Sequence, residues 1–154
     1  MFKGEEIIND ITEKSKVMHL TKVCSDSFGY SLSNGAYGVY KYGKKMWKSK
    51  QKDLVTAICG CDIDIFGDGE RLLIVGFLSG QVEVRKHISG EVVQQIKVEE
   101  DSAIANIFFY DYRGIGQKQA VIVTTSGLIK GFTLTQNLKQ YDLSQDAAAK
   151  EDSE

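Results

Sequence analysis

The residues whose types and spacing could do chemistry gather in one acidic stretch and in a few scattered sulfur and imidazole side chains. Asp62, Asp64 and Asp68 lie close together, and Gly69 follows them. Carboxylates at alternating positions of a short glycine-bearing loop suit a calcium ion, which takes about six to eight oxygen ligands. With Asp64 at the first ligand position, Asp68 falls at the fifth and Gly69 at the sixth. The third position is Phe66, and the later one falls on Leu72 or Leu73, so neither offers a side-chain oxygen. Asp64 and Asp68 therefore make a degenerate loop, and the sequence leads us to expect no metal and no cofactor. A matching loop starts at Asp111 and runs to Gly116 with one acid left. Cys59 and Cys61 flank Gly60 in a strand-like run, so their side chains should share a face. Binding a metal there would need two more ligands, and His19 and His87 are the only histidines; the cysteines read as core residues. The chain has no nucleophile elbow, zincin helix or phosphate loop, so no catalytic residue is assigned and no enzyme is expected.

Composition narrows the classes further. With 154 residues and 42% hydrophobic content, the chain can bury one real core. Its net charge of -2 gives no electrostatic footprint for nucleic acid. No apolar run approaches the roughly 18 residues that cross a bilayer, and the first residues lack the apolar core of a signal peptide. Three cysteines make no disulfide framework and fit a reducing, cytosolic setting. Basic residues concentrate only between 41 and 52, at Lys41, Lys44, Lys45, Lys48, Lys50 and Lys52. That run reads as a solvated strand pair, with a patch for an acidic partner as the alternative. Trp47 within it reads as packing, with an interface anchor as the alternative.

The elements that must position these residues announce themselves as a repeat. Serine-glycine turns stand at Gly35, Gly80 and Gly127, at intervals of 45 and 47 residues. Such a period belongs to four-stranded propeller blades. In the middle unit, 55–62 is apolar and 71–78 is a continuous apolar run, as a strand covered on both faces should be. Residues 81–85 alternate apolar and polar as a half-buried strand would, and 91–98 is polar enough for an outer edge. The first unit follows with 17–24, 28–33, 37–42 and 45–50, and the third with 103–110, 119–125, 128–134 and 138–143. Each serine-glycine pair is then the hairpin turn between the second and third strands of a blade, with glycine supplying a positive φ.

Residues 4–11 match 90–97 at an offset of 86, so they read as the last strand of a preceding blade. The expected fold is all-β: about three four-stranded antiparallel blades of a β-propeller, a partial ring, with a short helical tail. The partial propeller covers 1–143, with blades at 17–50, 54–98 and 103–143, and a charged helix-prone tail covers 144–154. Three blades do not close a ring, since propellers have about four to eight. The chain therefore reads as a piece of a larger propeller, with closure by self-association as the alternative. The open blade edges near 17–24 and 128–143 are the expected interfaces.

Two resemblances bear on function. The loop from Asp62 to Gly69 before a buried strand resembles the calcium loops of integrin-type FG-GAP repeats. A calcium-binding propeller of that kind is thus the alternative reading. The series FGYSLSNGAYGVY from Phe28, MWKSK from Met46, DIFGDG from Asp64, SGQVEVR from Ser79, SGEV from Ser89, SAIA from Ser102, DYR from Asp111 and GLIKG from Gly127 resembles the Bardet-Biedl syndrome 2 family. Order and spacing agree across about 2–132. The resemblance implies the last blades of an amino-terminal propeller, with the tail leading toward a coiled coil. It also implies a non-catalytic scaffold role in the BBSome, a coat complex that traffics ciliary membrane proteins. Partners would be other BBSome subunits of propeller and coiled-coil architecture, with cargo engaged indirectly. The setting would be cytoplasm, cilium and ciliary basal body.

Overall fold

The structure, a computed structural model, describes residues 10–134 and 139–141. Among the described residues, twelve strands form three antiparallel sheets, each ordered as in the chain. Blade 1 holds β1 (Val17–Cys24), β2 (Ser27–Leu32), β3 (Ala36–Lys41) and β4 (Lys44–Lys50). Blade 2 holds β5 (Val55–Cys61), β6 (Leu72–Phe77), β7 (Gln81–Lys86) and β8 (Val92–Lys97). Blade 3 holds β9 (Ile104–Tyr110), β10 (Gln119–Thr124), β11 (Ile129–Thr133) and β12 (Lys139–Tyr141). These are blades of a β-propeller. The expected helical tail lies outside the described residues, as does the strand expected at 4–11 apart from Asp10 and Ile11, which carry no strand.

The inner strands pack side by side, β1 against β5 and β5 against β9. Hydrogen bonds stitch them: Gly60 N–H donates to Thr21 Oγ1 at 2.9 Å, and Thr56 Oγ1 donates to the Ile104 carbonyl at 2.6 Å. Gly60 is required for this approach, because a Cβ there would collide with the Lys22 carbonyl.

β6 explains its own apolar run. Leu73, Val75 and Phe77 join Val23, Tyr37 and Val39 in a core between blades 1 and 2. Leu72 and Ile74 face the other way, into a core with Ile107, Ile122 and Phe132 between blades 2 and 3. The period of two thus feeds two cores at once. β7 departs from the half-buried strand expected of it. Val82 and Val84 enter the core between blades 2 and 3, and Glu83 is also buried, at 1% exposure. Blade 1 covers the face that alternation marks as polar.

The three hairpins share one geometry. The N–H of Gly35, Gly80 and Gly127 each closes a turn onto the carbonyl three residues back, at 3.2, 3.1 and 3.1 Å. Their φ values are +90°, +93° and +98°, a region in which a Cβ is strained. Asp53 accepts from the Ser79 N–H and hydroxyl, and Glu99 accepts from the Ser126 hydroxyl, so the linkers before blades 2 and 3 clasp those blades' hairpins.

Candidate functional site

Titratable side chains converge at the seam between blades 1 and 2. β7 carries Glu83 and Arg85 inward, β3 carries Tyr37 and β4 carries Trp47. The Glu83 carboxylate accepts from Tyr37 Oη at 2.6 Å, from Gln95 Nε2 at 3.1 Å, from Gln51 Nε2 at 3.4 Å and from Arg85 Nε. The Arg85 guanidinium lies 5.5 Å from the Tyr37 ring centroid and 5.2 Å from that of Trp47. Burial alone would raise the Glu83 pKa, yet the bonds from Tyr37, Arg85 and Gln95 hold it below the usual carboxylate range. Burial and the same bond push the Tyr37 phenol up to about 12. Trp47 packs edge-on against Tyr37 and donates its Nε1–H to the His87 carbonyl at 2.9 Å. Its ring is committed to the seam.

At one end of the same seam Cys24, Asp26 and His87 place their ligand atoms within 4.8 Å of one another. The bonding fixes what this cluster can do. His87 Nδ1 accepts the Arg71 backbone N–H at 2.7 Å, so it carries no hydrogen. Nε2 then holds the proton and points it at Cys24 Sγ, 3.8 Å away, while Cys24 donates to Asp26 Oδ1 at 3.2 Å. A cation would need Nε2 bare, and the proton could not move to Nδ1 against an N–H donor. The set is therefore a relay of hydrogen bonds across the seam and does not suit a metal. Burial lowers the His87 pKa, which keeps the ring neutral.

The acidic loops are held by their own chain. Asp64 accepts from Gly69 N–H at 3.1 Å and lies 3.8 Å from Arg71, which also pairs with Asp62 at 2.7 Å. Asp68 accepts from Glu70 N–H at 3.0 Å and pairs with Lys86 at 2.7 Å. In blade 3, Asp111 accepts from Ile115 and Gly116 N–H at 3.0 and 2.7 Å. Asp64 and Asp111 each bond the backbone five residues on, so the two loops are one motif. A cleft of about 370 Å³ lies between them, lined by Asp62, Phe109, Lys118 and Leu134 among others.

Cys61 is fully buried, and burial raises its thiol pKa; Cys59 is half-buried beside it. His19 stands apart on β1, bonded to Ser31 Oγ at 2.6 Å. The structure thus brings His87 together with Cys24 rather than with Cys59 and Cys61. The sequence carried no signal for that cluster, whose members lie 63 residues apart, nor for the buried Glu83.

Known proteins place these blades. The family model for ciliary BBSome complex subunit 2, middle region, matches residues 1–85. The human "BBSome complex member BBS2" is 36% identical over 132 residues, covering 86% of this chain and 18% of its own length. The zebrafish (Danio rerio) protein of the same name is 31% identical over the same shares. The Caenorhabditis elegans member is 27% identical over 134 residues, 87% of this chain and 17% of its own. The chain thus spans less than a fifth of the curated relatives it matches. Among solved structures, BBS1N in a complex with ARL6DN superposes with a TM-score of 0.62 at 18% identity, over 76% of this chain and 36% of that one. BamB from Moraxella catarrhalis superposes at 0.56 and 16% identity, over 80% and 34%. These two likenesses carry the fold alone. The match over more than half the sequence and the run of relatives carry more: this chain belongs to the family of ciliary BBSome complex subunit 2.

Proposed function

We propose that the chain is part of a non-catalytic scaffold subunit of the BBSome coat complex. It supports ciliary membrane-protein trafficking and cilium assembly through protein-protein contacts. Its partners are other BBSome subunits of propeller and coiled-coil architecture, membrane-protein cargo is engaged indirectly, and it works in the cytoplasm, the cilium and the ciliary basal body. The observation that carries this reading is the family match over residues 1–85, extended by relatives across 86% of the chain. The chemistry of the seam supports it. Glu83, Arg85, Tyr37 and His87 spend their polar atoms on one another and on the backbone, which makes them joints between blades.

The test is recovery from ciliated cells. The tagged chain is purified by affinity and its companions are identified by mass spectrometry, beside an unrelated propeller of similar size. Enrichment of other BBSome subunits is expected. Their absence from a chain that melts cooperatively overturns the assignment for this piece.

A further inference from the structure

The lysine run of blade 1 plays no part in the seam. Of its six lysines, Lys45 and Lys48 lie 3.7 and 3.2 Å from the carboxylate of Glu13, which also accepts from the Tyr40 hydroxyl. That carboxylate comes from a segment without secondary structure before β1, and its side chain is 8% exposed. Lys44, Lys50 and Lys52 are exposed and have no ion-pair partner among the described residues. They sit on or just after β4, the outermost strand of its sheet, whose outer backbone edge pairs with no strand among the described residues. At the tip of the β3–β4 hairpin, beside Lys44 and at the other end of β4 from Lys50 and Lys52, Tyr42 is 78% exposed with φ +50°. Gly43 follows at φ +75°, so this is a two-residue turn of the kind that favours asparagine or glycine at both places. A tyrosine there holds an unfavoured backbone while offering most of its ring to solvent.

We propose that this rim of blade 1 docks an extended, acidic segment of a partner protein, with Tyr42 as the aromatic anchor and Lys44, Lys50 and Lys52 as the carboxylate partners. Charge complementarity selects the occupant: residues 17–52 hold seven lysines against one acid, Asp26, in a chain of net charge -2. Glu13 shows the surface already taking one carboxylate from a stretch of chain without secondary structure. The free edge of β4 can add backbone hydrogen bonds to an incoming strand. An exposed tyrosine beside such an edge is a favoured centre of binding energy. A lipid headgroup layer fits less well. Lys44 and Lys45 project to opposite faces of β4, and Trp47, the ring that could insert, is turned into the seam. The inference goes beyond the scaffold reading and stands without it.

The test uses the full chain and a short fluorescent peptide of repeated glutamate-glutamate-valine, which when extended carries carboxylates on both faces, as the opposite projection of Lys44 and Lys50 from β4 requires, with phosphatidylserine vesicles in parallel. Saturable peptide binding is expected, weakening as salt rises through the screening range. The charge reversal K44E/K50E/K52E should cut affinity by about tenfold or more. A control reversal of equal charge on blades 2 and 3, K97E/K118E/K130E, should leave it near wild type. Tyr42→Gly should lower affinity by roughly fivefold while the melting temperature holds or rises, because glycine relieves the positive φ. That split separates a binding role from a structural one. No peptide binding, equal loss in the two reversals, or vesicle binding that the peptide does not share each overturns the proposal.

Discussion

Replacing Glu83 by glutamine exchanges one buried oxygen for an amide and should be among the costliest conservative changes in the chain. The carboxylate is 1% exposed and takes four donors: Tyr37, Arg85, Gln95 and Gln51. An amide has one acceptor oxygen, so whichever way it turns, its NH₂ faces donors and leaves Arg85 without its counter-charge. Removing one partner of a buried ion pair costs about 3–5 kcal/mol. For a domain of this size each kcal/mol shifts the melting temperature by about 2–4 °C, so Glu83→Gln should lower it by roughly 6–20 °C. The acid dependence gives a second handle. The folded Glu83 pKa lies below its ordinary value of 4.5, so the stability it confers is full above that value and drains away as pH falls through the folded pKa. The deficit of the variant should therefore be largest near neutrality and shrink in acid, where wild-type Glu83 takes up its own proton. Urea unfolding of both proteins at about pH 7 and about pH 3 reads the two effects together. A deficit under about 1 kcal/mol, or one that is equal at both pH values, refutes the claim that the buried Glu83 carboxylate, through its bonds from Tyr37 and Gln51, ties blade 2 to blade 1.

Three further outcomes are expected. Gly60→Ala forces a methyl group into the Lys22 carbonyl across the inner ring, and should cost about 1–3 kcal/mol in urea unfolding; a neutral result would mean that β1 and β5 do not approach as described. Tyr30 buries its hydroxyl at 1% residue exposure with no hydrogen-bond partner among the described residues, so Tyr30→Phe should stabilise by about 1 kcal/mol, and a loss of stability would reveal a partner. Neither calcium nor zinc should move the melting transition, since Lys86 and Arg71 hold the loop carboxylates and the Arg71 N–H holds His87 Nδ1; a rise of several degrees, reversed by chelator, would place an ion in one of these sites.

Much of the fold was legible because it repeats. The serine-glycine turns set the period, and the apolar runs between them fell within a residue or two of the strands they form. The two Asp-to-Gly loops were legible for the same reason, since Asp64 and Asp111 head the same spacing of glycines. What could not be read was the neighbour of each face. The alternation of 81–85 marks Glu83 and Arg85 as one side of a strand, and on a lone sheet that side would face water. Blade 1 covers it instead, through Tyr37 and Trp47, residues 46 and 38 positions away from the acid and the arginine they meet. The Cys24, Asp26 and His87 cluster was hidden by a similar distance. A local pattern reports periodicity, whereas a seam between blades is a contact between distant turns of the repeat, and no residue carries a label for its opposite number.

The repeat also separates what holds the chain together from what it offers outward. Asp53 and Glu99 clasp successive hairpins in the same way, and Asp64 and Asp111 close successive loops in the same way. These acids recur in blades 2 and 3, where they serve the same turns. The lysines on blade 1 have no such counterpart: the outer strand of blade 2, Val92–Lys97, holds a single lysine among valine, glutamine and isoleucine. Edge lysines do discourage strand-to-strand aggregation, and if that were their whole purpose each outer strand would need them alike. Their confinement to one rim, along a strand that starts at a tyrosine held in an unfavoured turn, is the pattern that the proposed docking rests on. The polar groups buried at the seam are consumed by the joint between blades, and the proposed docking falls on the rim they leave free.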